Sequence, residues 1–193
     1  MSTLNKDKFF FFYDDCSALK LVPNSIEHGY LAVLDNNLDA ASLIFAKNDS
    51  PRAKWAGVLV CILKGFMSDM PTYFQIRNFL EIDLDFLLKN EKLEYVEMLL
   101  GSLEILAAVN QEVYKYAARV MYVNKLYSAA LRYMEKSKKI YYKDAELHFL
   151  FSKYYLRVND YKEAMYYIKE CLKIIPDYYP ALQLKNTIEE RWF

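Results

Sequence analysis

Residues 145–178 read AELHFLFSKYYLRVNDYKEAMYYIKECLKIIPDY, and residues 111–144, QEVYKYAARVMYVNKLYSAALRYMEKSKKIYYKD, lie over them without a gap. Small residues coincide: Ala118 on Ser152, Ala130 on Ala164, Ser137 on Cys171. Long apolar or aromatic residues coincide as well: Met121 on Tyr155, Tyr127 on Tyr161, Met134 on Ile168. A period of 34 residues points to stacked helical hairpins, since a single hairpin of that length buries its apolar face only against a neighbour. In the second window Phe151, Ser152 and Tyr155 share one face of a first helix, and Asn159-Asp160-Tyr161 makes a turn. Ala164, Ile168 and Cys171 then recur at i, i+4 and i+7 along a second helix, which Pro176 ends.

Outward from the echo, the helical pattern continues towards the N-terminus. After Pro23, Asn24 or Ser25 can cap a first helix running to about Leu34, with Glu27 at capping-box distance from Asn24. Asp35-Asn36-Asn37 reads as a turn and Leu38–Lys47 as the hairpin partner. Asn48-Asp49-Ser50 followed by Pro51 starts a helix to about Phe66, and Ser68–Pro71 breaks the chain again. The remaining helices are expected over Thr72–Leu88, Leu93–Val109, Glu112–Val123, Tyr127–Tyr141, Ala145–Val158, Tyr161–Ile174 and Tyr179–Arg191. Residues 1–23 form an N-terminal arm whose Phe9–Tyr13 run has no amphipathic period, and it is expected to pack on its own domain. The linkers are short, so one continuous domain is expected: the arm, divergent hairpins over 24–110, two clear repeats over 111–178, and a closing helix over 179–193.

Composition agrees with an all-helical chain. Among 193 residues only 4 are Gly and 5 are Pro, too few for the turns of an all-β or mononucleotide-binding α/β fold. Lys plus Arg and Asp plus Glu balance at 25 each, which disfavours a nucleic-acid binder. Cys16, Cys61 and Cys171 are far apart, and with only His28 and His148 beside them neither a zinc site nor a disulfide framework is expected. Reduced thiols, the absence of a secretory signal pattern and the absence of a long apolar span point to a cytoplasmic protein without membrane attachment.

The string Asp160-Tyr161-Lys162-Glu163-Ala164 and the close Lys173-Ile174-Ile175-Pro176 resemble a tetratricopeptide repeat. The likeness is good over 145–178 and over 111–144, where Tyr142 replaces the usual Pro, and weak over 77–110, where Asp83 replaces a large apolar residue. The resemblance implies a right-handed superhelical array of antiparallel helical hairpins, an all-α solenoid closed by a capping helix. Leu182, Ile188 and Trp192 are the expected buried side of that helix.

In such arrays the first helix of each repeat lines a concave groove. By position, the resemblance places Glu112, Lys115, Arg119 and Tyr122 in one groove row and Glu146, Phe149, Lys153, Leu156 and Arg157 in the next. Cations beside apolar residues suit a peptide or protein carrying acidic and apolar side chains. Catalysis has no matching constellation: no Ser–His–Asp set, no P-loop and no Gly-x-Gly-x-x-Gly, while His148, between Leu147 and Phe149, is expected to pack between helices. No cofactor is expected. The leading reading is a non-catalytic interaction module, an adaptor or a chaperone for one client. A self-assembling homodimer built on Tyr133, Tyr141, Tyr142, Tyr166 and Tyr167, and an RNA-binding helical repeat, stand as alternatives.

Overall fold

The computed structural model describes residues 25–192. The N-terminal arm, its Phe9–Tyr13 run, Cys16 and Asn24 lie outside them. Every regular element among the described residues is helical: α1 (Ile26–Leu34), α2 (Leu38–Ala46), α3 (Pro51–Leu63), α4 (Tyr73–Lys89), α5 (Leu93–Gly101), α6 (Leu103–Leu106), α7 (Val113–Val123), α8 (Tyr127–Ile140), α9 (Ala145–Arg157), α10 (Tyr161–Ile174) and α11 (Tyr179–Trp192). Neighbours in sequence pack in pairs, and the chain divides into two compact units, one ending at Asn110 and the other starting at Gln111. That boundary falls where the first clear repeat window begins.

The helix starts are set by local chemistry. Ser50 accepts from the Ala53 amide with Pro51 at the first helical position, and Thr72 and Gln75 exchange both bonds of a capping box. Asn37, Asp144 and Asp160 cap α2, α9 and α10 in the same way. At α1 the cap residue is Ser25, but its hydroxyl pairs with His28 Nδ1 at 3.1 Å and leaves the amides alone. The helix expected over Leu93–Val109 is broken at Ser102, whose hydroxyl donates to the Leu99 carbonyl at 2.7 Å.

Four of the turns among the described residues share one conformation. Asn36, Glu91, Lys125 and Asn159 are all left-handed, with φ of 58°, 58°, 63° and 60°. In each turn the next amide reaches back five residues: Asn37 to Ala32, Lys92 to Leu87, Leu126 to Met121 and Asp160 to Tyr155. This is a Schellman closure, which satisfies carbonyls the helix end would leave bare. Glu91, Lys125 and Asn159 are spaced by the same 34 residues as the sequence echo, so the hairpin frame extends back into 77–110, where side-chain likeness has faded.

In the first unit the core gathers around a charge. Asp83 of α4 is fully buried and accepts from Tyr30 of α1 (3.1 Å), from Trp55 Nε1 of α3 (2.5 Å) and from both terminal nitrogens of Arg52. The Arg52 guanidinium also lies 4.8 Å from the Tyr30 ring and 4.9 Å from the Phe79 ring. Burial pushes the carboxyl pKa up, while Arg52, Trp55 and Tyr30 pull it back. Position 83, where the repeat pattern calls for a large apolar residue, therefore pins α1, α3 and α4 together.

In the second unit α7 pairs with α8, and α9 with α10. Ala118, Ala130, Ser152 and Ala164 are fully buried, and the Ser152 hydroxyl donates to the Ala164 carbonyl at 2.8 Å. Only small side chains let two helices come that close. Phe151, Tyr155 and Tyr167 stack beside this contact, with Phe151 and Tyr167 centroids 4.5 Å apart. Cys171 is buried and its thiol is pushed up to about 11 by desolvation, which leaves it unreactive. The closing helix α11 departs from expectation. It buries Ala181 and Ile188, with Leu184 partly covered, whereas Leu182 and Trp192 are 39% and 45% exposed. Ile188 is buried as expected, but its companions on the buried stripe are Ala181 and Leu184 rather than Leu182 and Trp192.

Removing the Asp83 carboxylate leaves Arg52 largely buried without a counter-charge. Asp83→Ala is expected to lower unfolding free energy by about 3–5 kcal/mol in urea denaturation, with Asp83→Asn less severe because it keeps an acceptor. An unchanged midpoint would refute the pinning role.

Candidate functional site

The nine groove positions all lie in the second unit and separate into two sets. Glu112 and Lys115 at the start of α7 and Arg119 in its middle meet Glu146 at the start of α9. Lys115 is 3% exposed, and its ammonium touches Asp144 at 2.6 Å, Glu112 at 2.7 Å and Glu146 at 3.2 Å. Burial pulls the Lys115 pKa down, but the hydrogen bonds and charges of Asp144 and Glu112 outweigh it and hold the amine above its ordinary value. Asp144 caps α9 with one oxygen and takes Lys115 with the other, while Glu112 also accepts from the Tyr116 hydroxyl at 2.7 Å. Arg119 lies 3.5 Å from Glu146 and over the Tyr116 ring. The sequence reading presents Lys115 to a partner. The structure instead encloses it between α7 and α9, so this end of the row joins adjacent hairpins.

The second set is open except at Leu156, which is largely buried in the core. Tyr122, Lys153, Leu156 and Arg157 line one depression of about 280 Å³, together with Asn159, Leu184 and Arg191. Tyr122 is held by its hydroxyl on the Lys153 carbonyl at 3.2 Å. The Lys153 ammonium rests 5.1 Å from the Tyr122 ring and 5.7 Å from that of Phe149, and Arg157 lies 4.5 Å over Tyr127. Aromatic faces thus position the two cations without neutralising them. Neither Lys153, Arg157 nor Arg191 pairs with a carboxylate among the described residues. Phe149 itself packs edge-on against Tyr178 at 5.4 Å. Leu184 and Arg191 come from α11, and sequence reasoning missed them by treating that helix as a lid only. Their i, i+7 spacing places them on one face and is the signal that identifies them.

The buried histidine and the tyrosines of this unit pack with one another. His148 is fully buried, and neither ring nitrogen has a hydrogen-bond partner. It lies edge-on to Tyr142 at 4.8 Å and stacks on Tyr167 at 5.9 Å. Desolvation lowers its pKa, against the opposing pull of the Tyr142 backbone, Glu170 and Asp144. Of the tyrosine-rich face, Tyr167 is committed to the core and Tyr142 and Tyr166 bond each other at 3.0 Å. Among the described residues no group of three His, Cys, Asp or Glu is placed to hold a metal ion, and no helix is long and apolar enough to cross a membrane. No protein-family model, curated protein or solved structure matches the chain.

Two measurements check these assignments. Lys115→Met strands Asp144 and Glu112 and is expected to cost about 3–5 kcal/mol. Adding Asp144→Asn, which keeps the α9 cap, is expected to recover part of it. A cost for Lys115→Met within error of zero in urea melts would sink the ionic lock. For His148 the folded state holds the neutral ring below its ordinary pKa, so the unfolded chain binds the extra proton. Stability is expected to decline as pH falls through about 6.5, and His148→Phe should flatten that limb of the pH profile. The same slope in both proteins would show that another group causes it.

Proposed function

We propose that this chain is a non-catalytic interaction module, a right-handed superhelical array of the tetratricopeptide-repeat kind, acting as an adaptor or chaperone in the cytoplasm. Its open groove receives a peptide or protein segment with acidic and apolar side chains. The observation that carries this reading is the convergence of Tyr122, Lys153, Leu156 and Arg157, four of the nine groove positions, on one depression whose cations are unpaired. The recurrence of the left-handed turn at 34-residue spacing supports the array. An acidic side chain of the partner would meet Lys153, Arg157 and Arg191, while Leu156, Leu184 and the Tyr122 ring cover its apolar neighbour. Lys115 and Glu112 serve the scaffold beneath and make no contact with the partner.

The test uses labelled short peptides of Glu, Asp, Leu and Phe, followed by fluorescence anisotropy on the full chain. Saturable binding is expected, weakened about tenfold or more by Lys153→Glu with Arg157→Glu and reduced by added salt. Equal binding by the reversed-charge variant, or by a peptide with Lys in place of the acids, would overturn the groove assignment.

A further inference from the structure

The first unit carries a second open feature that the groove does not use. Gly65, with φ of 86°, closes α3 by sending the Phe66 amide back to the Cys61 carbonyl, and the turn lays Phe66 and Met67 towards α5. The Cys61 thiol and Ser68 hydroxyl, 3.6 Å apart, hold the turn against α3. Between this turn and α5–α6 lies a groove of about 300 Å³, whose apolar walls include Met98 and Ile105. Phe66 is 52% and Ile105 51% exposed, a large amount of uncovered apolar surface for one small patch. Gly101 forms part of the floor, and a Cβ built there meets nothing within 4 Å. The floor is therefore open because a side chain is absent from a helix where almost any would fit.

The unpaired charges next to the lining residues in sequence are acidic. Glu97 and Glu104 stand at i−4 and i+3 from Gly101, exposed next to Met98 and Ile105, and Asp69 is exposed on the opposing turn. None of the three is ion-paired among the described residues. Lys64, the nearest cation in sequence to the turn, is taken by Asp39 at 2.7 Å.

We propose that this groove is a docking site for an amphipathic helix of a protein partner, with apolar residues on one face and Lys or Arg along its flanks. A second copy of this chain is disfavoured by charge: a two-fold contact through the groove would set Glu97 and Glu104 against the same acids of the other copy. An extended peptide has no sheet edge to join among the described residues. Two methionines with a phenylalanine give a soft wall that adapts to Leu, Ile or Met of the incoming helix.

The experiment uses the full chain and two synthetic amphipathic helices, both Leu-faced, one flanked by Lys and one by Glu, read by anisotropy with sedimentation alongside. The Lys-flanked helix is expected to bind saturably and the Glu-flanked one at least about tenfold more weakly. Gly101→Trp fills the floor and is expected to abolish binding with helicity unchanged. Glu97→Lys with Glu104→Lys, at exposed positions, is expected to reverse the preference between the two peptides, which keeps the test decisive if the tryptophan variant misfolds. Absence of binding by the full chain, or a preference that survives the charge reversal, would overturn the proposal. A dimer that Gly101→Trp converts to monomer would also overturn it, because the occupant would then be a second copy.

Discussion

Four helical hairpins among the described residues turn on one residue held at positive φ. A left-handed residue at the end of the first helix costs about 1–2 kcal/mol for a side chain that is not Gly. It is accepted because the chain reversal it permits brings the whole apolar face of the second helix onto the first. Asn36, Glu91, Lys125 and Asn159 all occupy it, and the backbone bond that follows is the same each time. With the reversal fixed, the spacing to the next small residue decides which faces meet. That is why Ala130 and Ala164 are both fully buried at the same distance after Lys125 and Asn159.

The second constraint comes from two of the buried charges, Asp83 and Lys115. Asp83 and Lys115 each sit where an apolar side chain would fill the space at lower desolvation cost. Each is surrounded by partners that only one arrangement of helices supplies: Tyr30, Arg52 and Trp55 for the first, Glu112, Asp144 and Glu146 for the second. Such groups add little net stability over a hydrophobic isostere. They penalise every packing in which a partner is displaced, so they select the arrangement.

Much of this was legible in the sequence. Apolar spacing gave most helix bounds to within one or two residues, and Asn and Asp at 35–37 and 159–160 marked two of the left-handed turns directly. Glu91 and Lys125 carry no such mark, since neither residue type favours positive φ, and only their spacing reveals them. The burial of Lys115 was not legible. A lysine on a helix face reads as solvated unless the acids of the next hairpin are known to face it, and Asp144 is 29 residues away in the chain. The α11 contribution to the depression was hidden for the opposite reason: Leu184 and Arg191 lie outside the echo, so no repeat position pointed to them. The Asp83 site was visible only as an irregularity, a carboxylate where bulk was expected.

The Lys115–Asp144 pair has a counterpart one period later. Positions 149 and 178 stand in the same relation, and there the contact is aromatic, Phe149 edge-on to Tyr178. The same junction is thus written in charge at its first occurrence and in rings at its second. Setting an ionic half against an aromatic one would bury a charge without its partner. Each segment therefore bears an address for its own successor, and the order of segments is encoded in the joints as well as in the covalent chain. An array with interchangeable joints can slip, exchange segments with another molecule or close on the wrong neighbour during folding. Unlike joints, here written in four side chains, penalise those outcomes through the cost of a buried charge left unpaired.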